Sequence, residues 1–304
     1  MENSLVALSN ELATAVETAG QTVVAVHGRP RVSSSGVHWQ PGVIVTAEHT
    51  LRRDEDIRVT LADGRTIPAE IAGRDPGTDL AVLRTESKDQ ATLHITESSQ
   101  FKTGNLALSV GRSQETGVIA ALGVISGLSG PWNTWRGGKI DRFIRLDVGL
   151  YTGSSGGVAV NAAGELIGIA TAGLSRTSAL AIPVQTINRV VAAILDQGHV
   201  SRGYLGVGLQ PVALPEHLKS QLGISQKSGL IVLSAEPDSP AGQAGAVIGD
   251  VILSLDGKPV TDTDDVQEVL GPEYVGKAIA ASIVRGGALS DLTITVGERP
   301  RRRA

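Results

Sequence analysis

Residues 147–160, DVGLYTGSSGGVAV, are the stretch around which the rest of this chain is organised. The centre of this stretch, residues 153–157 (GSSGG), places a serine hydroxyl on a glycine-rich turn. Such a hydroxyl becomes a nucleophile only beside a base that takes its proton and donors that hold the oxyanion. Glycine allows the backbone to aim several N–H groups at one point. A flexible Gly/Ser turn between two strands is the alternative interpretation, because a single motif is weak evidence.

Chain order separates the two hydrolase families that carry such a turn. In the α/β-hydrolase elbow the acid and the histidine follow the serine, whereas in chymotrypsin-like proteases they precede it. After Ser155 the only histidines are His199, in a predicted linker, and His217, in a later domain. Before it, His49 ends the β-rich run PGVIVTAEHTL, and Asp79 opens a strand in GRDPGTDLAVLRT. The order His49, Asp79, Ser155 therefore favours the chymotrypsin arrangement.

Other polar residues compete with this assignment. Asp75 lies in the same turn as Asp79 and has an alternative role as a turn-capping residue, but Asp79 directly precedes the strand 80–83. The remaining histidines are predicted to be surface or strand-end residues: His27, His38, His94, His199 and His217. No cluster of His, Asp and Glu has metal-ligand spacing, so neither a metal nor a cofactor is expected.

In these three segments the chain resembles the HtrA/DegP-like serine proteases, which combine a chymotrypsin-like double β-barrel with a PDZ domain. The segments are similar to the family's G-x-I-x-T-x-x-H-V, D-x-x-x-D-L-A-V-L and D-A-A-I-N-x-G-N-S-G-G. The chain departs from these patterns at five positions: Thr50, Tyr151, Thr152, Ser154 and Val158. The resemblance implies a serine endopeptidase that cleaves unfolded or damaged proteins through an acyl-enzyme. Because Tyr151 and Ser154 adjoin the serine, a catalytically silent, peptide-binding or chaperone-like protein is the alternative.

The resemblance also implies the residues around the triad. The oxyanion hole is expected at Gly153, Ser154 and Ser155, with the N–H groups of Gly153 and Ser155 as donors. The primary substrate pocket is expected at Gly149 and Leu150, where no carboxylate is present to pair with a basic side chain. The substrate backbone is expected to lie along Ala170, Thr171 and Ala172.

Composition limits the remaining function classes. The 304 residues are 41% hydrophobic but only 3% aromatic, so the cores must be built from Val, Ile, Leu and Ala. The net charge of −4 and the pI near 5.9 argue against nucleic acid as a partner. No cysteine is present, which excludes disulfides and a thiol nucleophile.

The pattern of short β-rich runs predicts a mainly β protein with two domains. Residues 22–93 and 101–183 each show the runs and turns of one β-barrel, and residues 184–195 switch to a helical period. We therefore predict a protease domain over residues 1–197, a small α+β PDZ domain over residues 198–300, and a basic tail at residues 301–304.

The second domain is predicted to bind peptide C-termini. The turn in RGYLGVGL, formed by Tyr204, Leu205, Gly206 and Val207, resembles the PDZ turn that receives a peptide carboxylate. A helix over residues 264–270, capped by Thr263, is expected to line the groove with Val266 and Leu270. The alternative is that these apolar side chains simply fill a small core.

The N-terminus predicts location and assembly. MENSLVALSNELA begins with an acid and interrupts its apolar residues, so it lacks the features of a secretory signal. No apolar stretch is long enough for a membrane span. A cytoplasmic location is therefore expected, or a periplasmic one if a leader was removed. Residues 1–20 predict an amphipathic helix through Leu5, Leu8, Leu12 and Val16, and a homotrimer is one assembly that the resemblance allows.

Overall fold

The computed structural model describes residues 4–87 and 101–300. It is mainly β, and it has the double barrel followed by a smaller sheet domain that the sequence predicted. The chain divides into two compact units, Met1–Val200 and Ser201–Ala304, each of which is described by itself. His94 and the basic tail lie outside the described residues.

The first barrel follows helix α1 (Ser4–Gly20). Its strands are β1 (Val23–His27), β2 (Ser34–Gln40), β3 (Val43–Ala47), β4 (Ile57–Thr60), β5 (Thr66–Asp75) and β6 (Leu80–Arg84). They close in the order β1-β2-β3-β6-β5-β4. A hairpin turn at Asp63-Gly64 joins β4 to β5, and Gly64 has the positive φ of +87° that such a turn requires. Pairing of β3 with β6 brings the segments after Ala47 and before Leu80 to one end of the barrel.

The second barrel repeats this architecture. Its strands are β7 (Leu106–Ser113), β8 (Gly117–Ser129), β11 (Phe143–Asp147), β12 (Val158–Asn161), β13 (Leu166–Thr171) and β14 (Ala179–Ile182), with a small hairpin of β9 (Trp132–Asn133) and β10 (Lys139–Ile140). The barrel closes in the order β11-β14-β13-β12-β7-β8. The serine turn joins β11 to β12 and therefore belongs to this barrel.

A shared apolar core fixes the two barrels against each other. Val37 and Val45 from the first barrel pack with Val110 and Val158 from the second. Helix α2 (Val184–Gln197) adds Ile194 and related side chains to this core. The helix ends at Gly198, which is left-handed at φ +77°. Branched side chains suit this role because they are stiff and pack well on pleated strands.

Helix α1 forms as predicted, but its buried face differs from the prediction. Ala15 and Ala19 are buried, and Leu12 and Val16 pack against the core. The earlier leucines, Leu5 and Leu8, are 72% and 38% exposed. Only the second half of the helix therefore lies against the barrels of this chain.

The second unit is a sheet with short helices. Its strands are β15 (Gly203–Tyr204), β16 (Val207–Ala213), β17 (Ser228–Ala235), β18 (Val251–Leu255), β19 (Lys258–Pro259), β20 (Ala278–Arg285), β21 (Ala288–Thr295) and β22 (Gly297–Glu298). The main sheet has the order β16-β17-β18-β20-β21, so β16 is an edge strand. The helices are α3 (Glu216–Leu222), α4 (Pro240–Gln243) and α5 (Thr263–Gln267).

Helix α5 corrects two details of the prediction. Its N-cap is Asp262 rather than Thr263, because the Asp262 side chain accepts from the Asp264 N–H while Asp265 completes a capping box. The helix ends at Gln267, so Leu270 lies beyond it. The carbonyl of Leu270 accepts the Gly203 N–H at 2.8 Å.

Candidate active site

His49 and Asp79 meet at one end of the first barrel. His49 lies in the single helical turn Glu48–Thr50 that follows β3, and Asp79 directly precedes β6. The His49 Nδ1 atom lies 2.9 and 3.0 Å from the two Asp79 carboxylate oxygens, and the His49 backbone N–H donates to Oδ1 at 2.9 Å. A carboxylate only accepts hydrogen bonds, so Nδ1 carries the proton and Nε2 of the neutral ring is left as the acceptor.

The position of Asp79 is fixed on all sides. Its side chain is 1% exposed, its backbone has a left-handed φ of +58°, and its carbonyl accepts the Glu48 N–H at 3.0 Å.

Asp75 has the turn-capping role that the alternative interpretation gave it. Its carboxylate accepts from the Gly77 N–H at 3.2 Å and from the Thr78 hydroxyl at 2.7 Å, which closes the turn.

Ser155 lies in the glycine turn, with 9% of its surface exposed. The turn requires glycine at two places, since Gly153 and Gly156 have φ of +99° and +91°. The Ser155 Oγ atom accepts the Ala172 N–H at 3.3 Å, and within the described residues no hydrogen bond joins it to His49.

Three consecutive residues, of which Thr171 is the last residue of β13, contact all three members of the predicted triad. The Thr171 hydroxyl donates to Asp79 Oδ2, and the Ala172 N–H donates to Ser155. A Cβ on Gly173 would lie 2.4 Å from Asp79 Oδ2 and 2.5 Å from His49 Nδ1. The backbone of Gly173 therefore packs directly on the His49–Asp79 pair, a role that the sequence pattern did not reveal.

The N–H groups of the serine turn divide into two kinds. The Ser154 N–H donates to the Tyr151 carbonyl at 2.9 Å and holds the turn, which agrees with the prediction that the donors to an oxyanion are the N–H groups on either side of it. In the part of the chain that the structure describes, the N–H groups of Gly153 and Ser155 donate to no protein atom. These two groups remain as the donors for an oxyanion.

A cleft of about 760 Å³ opens beside the serine turn. It is lined by Trp135, Val148, Leu150, Ala172, Gly173, Leu174, Ser175, Arg176, Thr177, Ser178 and Ala179. Arg176 is the one charged residue among them.

The residues that line this cleft differ from the predicted substrate-binding residues at two places. Val148 and Leu150 line it, whereas Gly149 between them is exposed and is not among the lining residues. Ala170 and Thr171 are fully buried within the barrel, so the predicted substrate rail reaches the cleft only at Ala172.

The second unit has a turn with similar features. Gly206 has a φ of +76°, and a Cβ there would lie 2.0 Å from the Ser239 Cβ. The N–H groups of Leu205 and Gly206 have no acceptor among the described residues. Beside this turn the Tyr204 hydroxyl donates to Glu236 at 2.6 Å, and this bond raises the pKa of Tyr204.

The predicted groove residues of this unit do not all face a groove. The side chains of Leu205 and Val266 are 3% and 4% exposed and belong to the core, as the alternative interpretation stated. Val207 and Leu270 are partly buried at its margin, together with Leu209, which the sequence prediction omitted.

Two further histidines are buried to different degrees. His27 ends β1 as predicted, and its Nε2 lies 2.8 Å from the Thr60 hydroxyl. His38 lies inside β2 and is 1% exposed, so its prediction as a surface or strand-end residue is wrong. Its Nε2 has no hydrogen-bond partner within residues 4–87 and 101–300. Burial lowers the pKa of both side chains.

Comparison with known families supports both units. Residues 34–169 match the trypsin-like peptidase domain family, and residues 203–296 match the PDZ domain family. Curated relatives include proteins named probable periplasmic serine endoprotease DegP-like from Brucella suis and Halomonas elongata. Each is 31% identical and is matched over 90% of this chain. The match spans 54% of the Brucella protein and 57% of the Halomonas protein, so the chain spans about half the length of these relatives.

These names contradict the predicted cytoplasmic location, because the relatives are periplasmic by name. A search of the described helices finds none long and apolar enough to cross a membrane.

Solved structures match nearly the whole chain. The HtrA-type protease AlgW with a decapeptide is 30% identical, with a TM-score of 0.78 and coverage of 95% of this chain and 99% of that one. A serine endoprotease from Yersinia pestis is 29% identical, with a TM-score of 0.77 and coverage of 95% and 98%. By its two domains, their order and these matches, the chain belongs to the HtrA/DegP-like serine protease family.

Proposed function

We propose that this chain is a serine endopeptidase that cleaves unfolded or damaged proteins with His49, Asp79 and Ser155. The observation that carries the proposal is the segment 171–173 at the end of β13, which contacts all three residues while His49 Nδ1 lies within hydrogen-bond distance of Asp79. Such a set of contacts is what a triad requires, because each member must be held in a defined orientation.

The reaction follows from the geometry. Asp79 holds the tautomer in which His49 Nε2 accepts the Ser155 proton as Oγ attacks the carbonyl carbon of the substrate. The oxyanion accepts hydrogen bonds from the Gly153 and Ser155 N–H groups. His49 returns the proton to the departing amine, which leaves an acyl group on Ser155. Water then hydrolyses the acyl-enzyme by the same transfers in reverse.

The cleft supports a preference for apolar residues on the acyl side of the cut. Val148 and Leu150 supply an apolar wall, and the only charge among the lining residues is the Arg176 cation. A lysine or arginine there would be left without a carboxylate, which costs several kcal/mol when the cation is desolvated. We expect cleavage after Val, Ala, Ile or Leu. Mass spectrometry of the products from an unfolded protein checks this, and a majority of cuts after Lys or Arg would contradict it.

The second unit is proposed to bind peptide C-termini. The free edge of β16 can pair with an added strand, while the Leu205 and Gly206 N–H groups can receive its carboxylate. Val207, Leu209 and Leu270 supply apolar contacts at the margin of the core.

Location and assembly follow the relatives. We place the activity in the periplasm, on the names of those relatives. The homotrimer stays a prediction, and Leu5, Val6 and Leu8 are the exposed apolar side chains of α1 available to it.

The decisive experiment compares the wild-type chain with Ser155→Ala. We expect rapid labelling of the wild type by a fluorophosphonate and cleavage of casein. We expect neither reaction for the variant, since loss of the nucleophile lowers kcat by about 10⁶-fold in subtilisin, an unrelated fold with the same kind of triad. A folded wild type that neither reacts nor cleaves would favour the silent peptide-binding alternative. Substantial cleavage by pure Ser155→Ala would refute the assigned nucleophile.

A further inference from the structure

Ser35 is a fully buried residue of β2, in the first barrel, whose hydroxyl reaches the serine turn of the second barrel. Its Oγ–H donates to the Gly153 carbonyl at 2.8 Å, and its Oγ accepts the Arg112 backbone N–H at 2.9 Å. We propose that Ser35 is a positioning residue that sets the orientation of the oxyanion donors. This inference rests on the proposed function.

The bond to Gly153 matters because of the peptide unit that it holds. The carbonyl of Gly153 and the N–H of Ser154 lie at opposite sides of one peptide plane. Ser35 binds the carbonyl side, and the Tyr151 carbonyl accepts the N–H side at 2.9 Å. This plane lies between the two unpartnered N–H groups, those of Gly153 and Ser155. With both sides held, the plane cannot rotate, and the two flanking donors keep a fixed relation.

Glycine makes this restraint necessary. Gly153 has a φ of +99° and no side chain to limit its rotation. The freedom that lets the turn form would also let the plane turn over. The hydroxyl of Ser35 supplies from the other barrel the restraint that a side chain at residue 153 cannot supply.

Other contacts of Ser35 keep the turn folded without the hydroxyl. The Ser35 backbone N–H donates to the Ser155 carbonyl at 3.1 Å, and the Thr46 hydroxyl donates to the Ser35 carbonyl at 2.6 Å. Ser35→Ala retains both bonds and loses only the two hydroxyl bonds. It therefore removes the restraint on the peptide plane and leaves the strand in place.

The test measures kcat and KM of Ser35→Ala on a peptide substrate, together with its fluorophosphonate labelling rate, well below its melting temperature. We expect kcat and the labelling rate to fall by about 10²-fold, the scale of losing one oxyanion donor. We expect KM to stay within about twofold, because the oxyanion forms only in the transition state. A residue with only a structural role would lower the melting temperature without this split between kcat and KM.

Ser109→Ala is the matched control. Ser109 is a buried barrel serine whose Oγ has no hydrogen-bond partner in the described part of the chain, so we expect the kcat of this variant to match that of the wild type. If Ser35→Ala does not fold, Ser35→Cys takes its place. Its thiol is a weaker donor of similar shape, so we expect a kcat below that of the wild type at unchanged KM.

Three outcomes would overturn the inference. One is a folded Ser35→Ala with the same kcat as Ser109→Ala, a second is a change confined to KM, and a third is failure of both Ser35 variants to fold. Ser155→Ala separates these from failure of the proposed function. If Ser155→Ala is inactive and Ser35→Ala is unimpaired, only the role of Ser35 is wrong.

Discussion

Two glycine turns of this protein present backbone N–H groups without protein acceptors, and they differ in what surrounds them. In the protease unit these groups belong to Gly153 and Ser155, and in the second unit they belong to Leu205 and Gly206. Both turns depend on a left-handed glycine, with φ of +99° at Gly153 and +76° at Gly206. Each turn is therefore suited to binding a negatively charged oxygen.

The surroundings explain the different proposed tasks. The serine turn is joined to the other barrel by buried Ser35 and to β13 by a bond from the Gly156 N–H to the Ala170 carbonyl at 2.9 Å. The turn at Gly206 adjoins β16, an edge strand with one side unpaired. A transition state is short-lived and requires donors that are already in place, whereas a peptide must enter and leave. Enclosure suits the first turn, and an open edge suits the second.

Among the changes that test this comparison, the largest loss of activity is expected when a residue packed against the triad is replaced. In Gly173→Ala the new Cβ would approach Asp79 Oδ2 to 2.4 Å and His49 Nδ1 to 2.5 Å, so the histidine must move. A misplacement of about 1 Å costs on the order of 10²-fold in rate. We expect kcat/KM on a peptide substrate to fall by at least that factor.

Gly130→Ala is the control for this change. A Cβ on Gly130 meets no atom within 4 Å, so we expect activity like that of the wild type. Peptide binding by the second unit should stay the same in both variants. Activity of Gly173→Ala within about threefold of Gly130→Ala would contradict the packing of residue 173 on the triad.

A smaller effect is expected at the open turn. We expect the Ser155→Ala chain, which cannot consume its ligand, to bind a decapeptide ending in a free valine. Amidation of that terminus removes the negatively charged carboxylate to which the Leu205 and Gly206 N–H groups are proposed to donate hydrogen bonds. Because a hydrogen bond to a charged group contributes about 1.5–3 kcal/mol, affinity should fall by about 10- to 100-fold. Fluorescence anisotropy measures both peptides.

A pair of glycine variants ties this result to the turn. Gly206→Ala adds a Cβ that would lie 2.0 Å from the Ser239 Cβ, whereas Gly223→Ala, also at positive φ, meets nothing within 4 Å. Only the first should weaken binding of the free peptide. Equal affinities for the acid and the amide would show that the turn at Gly206 is structural alone.

The sequence predicted one side of this comparison better than the other. It predicted the strand before His49, the strand after Asp79 and the turn of Ser155, because apolar runs and glycine clusters are local signals. It missed β2, whose start at Ser34 reads as a loop. The residues at the start of β2 are small because other segments pack closely against them. A Cβ on Gly36 would approach Val26 and Ile44 to within 3 Å, and a Cβ on Gly156 would lie 2.1 Å from the Ser35 carbonyl. A single sequence does not show such packing between segments.

The same limit applies to the second unit. The pattern located the turn at Gly206 but could not tell whether Leu205 and Val266 face a groove or the core, since apolar side chains occur both in this core and at its margin. In this unit the gap between prediction and structure therefore lies in side-chain direction.

The smallest effect concerns the stability of the two units in acid. Burial lowers the pKa of His38 and of His27, so the unfolded chain binds more protons than the folded chain as pH falls below about 6.5. The stability of the protease unit should therefore decline between pH 7.5 and 5.5, by up to about 1.4 kcal/mol for His38. In the second unit the hydrogen bond from Arg285 lowers the pKa of Asp250, so the stability that Asp250 contributes is lost only as pH falls through the acid range below about 4.

Calorimetry at pH 7.5 and 5.5 measures this difference. At the lower pH the melting temperature of the protease unit should fall, and that of the second unit should not. His38→Leu should reduce that shift, and replacement of exposed His217 by Gln should leave it unchanged. An equal shift in wild type and His38→Leu would mean that burial of His38 does not cause the loss of stability in acid.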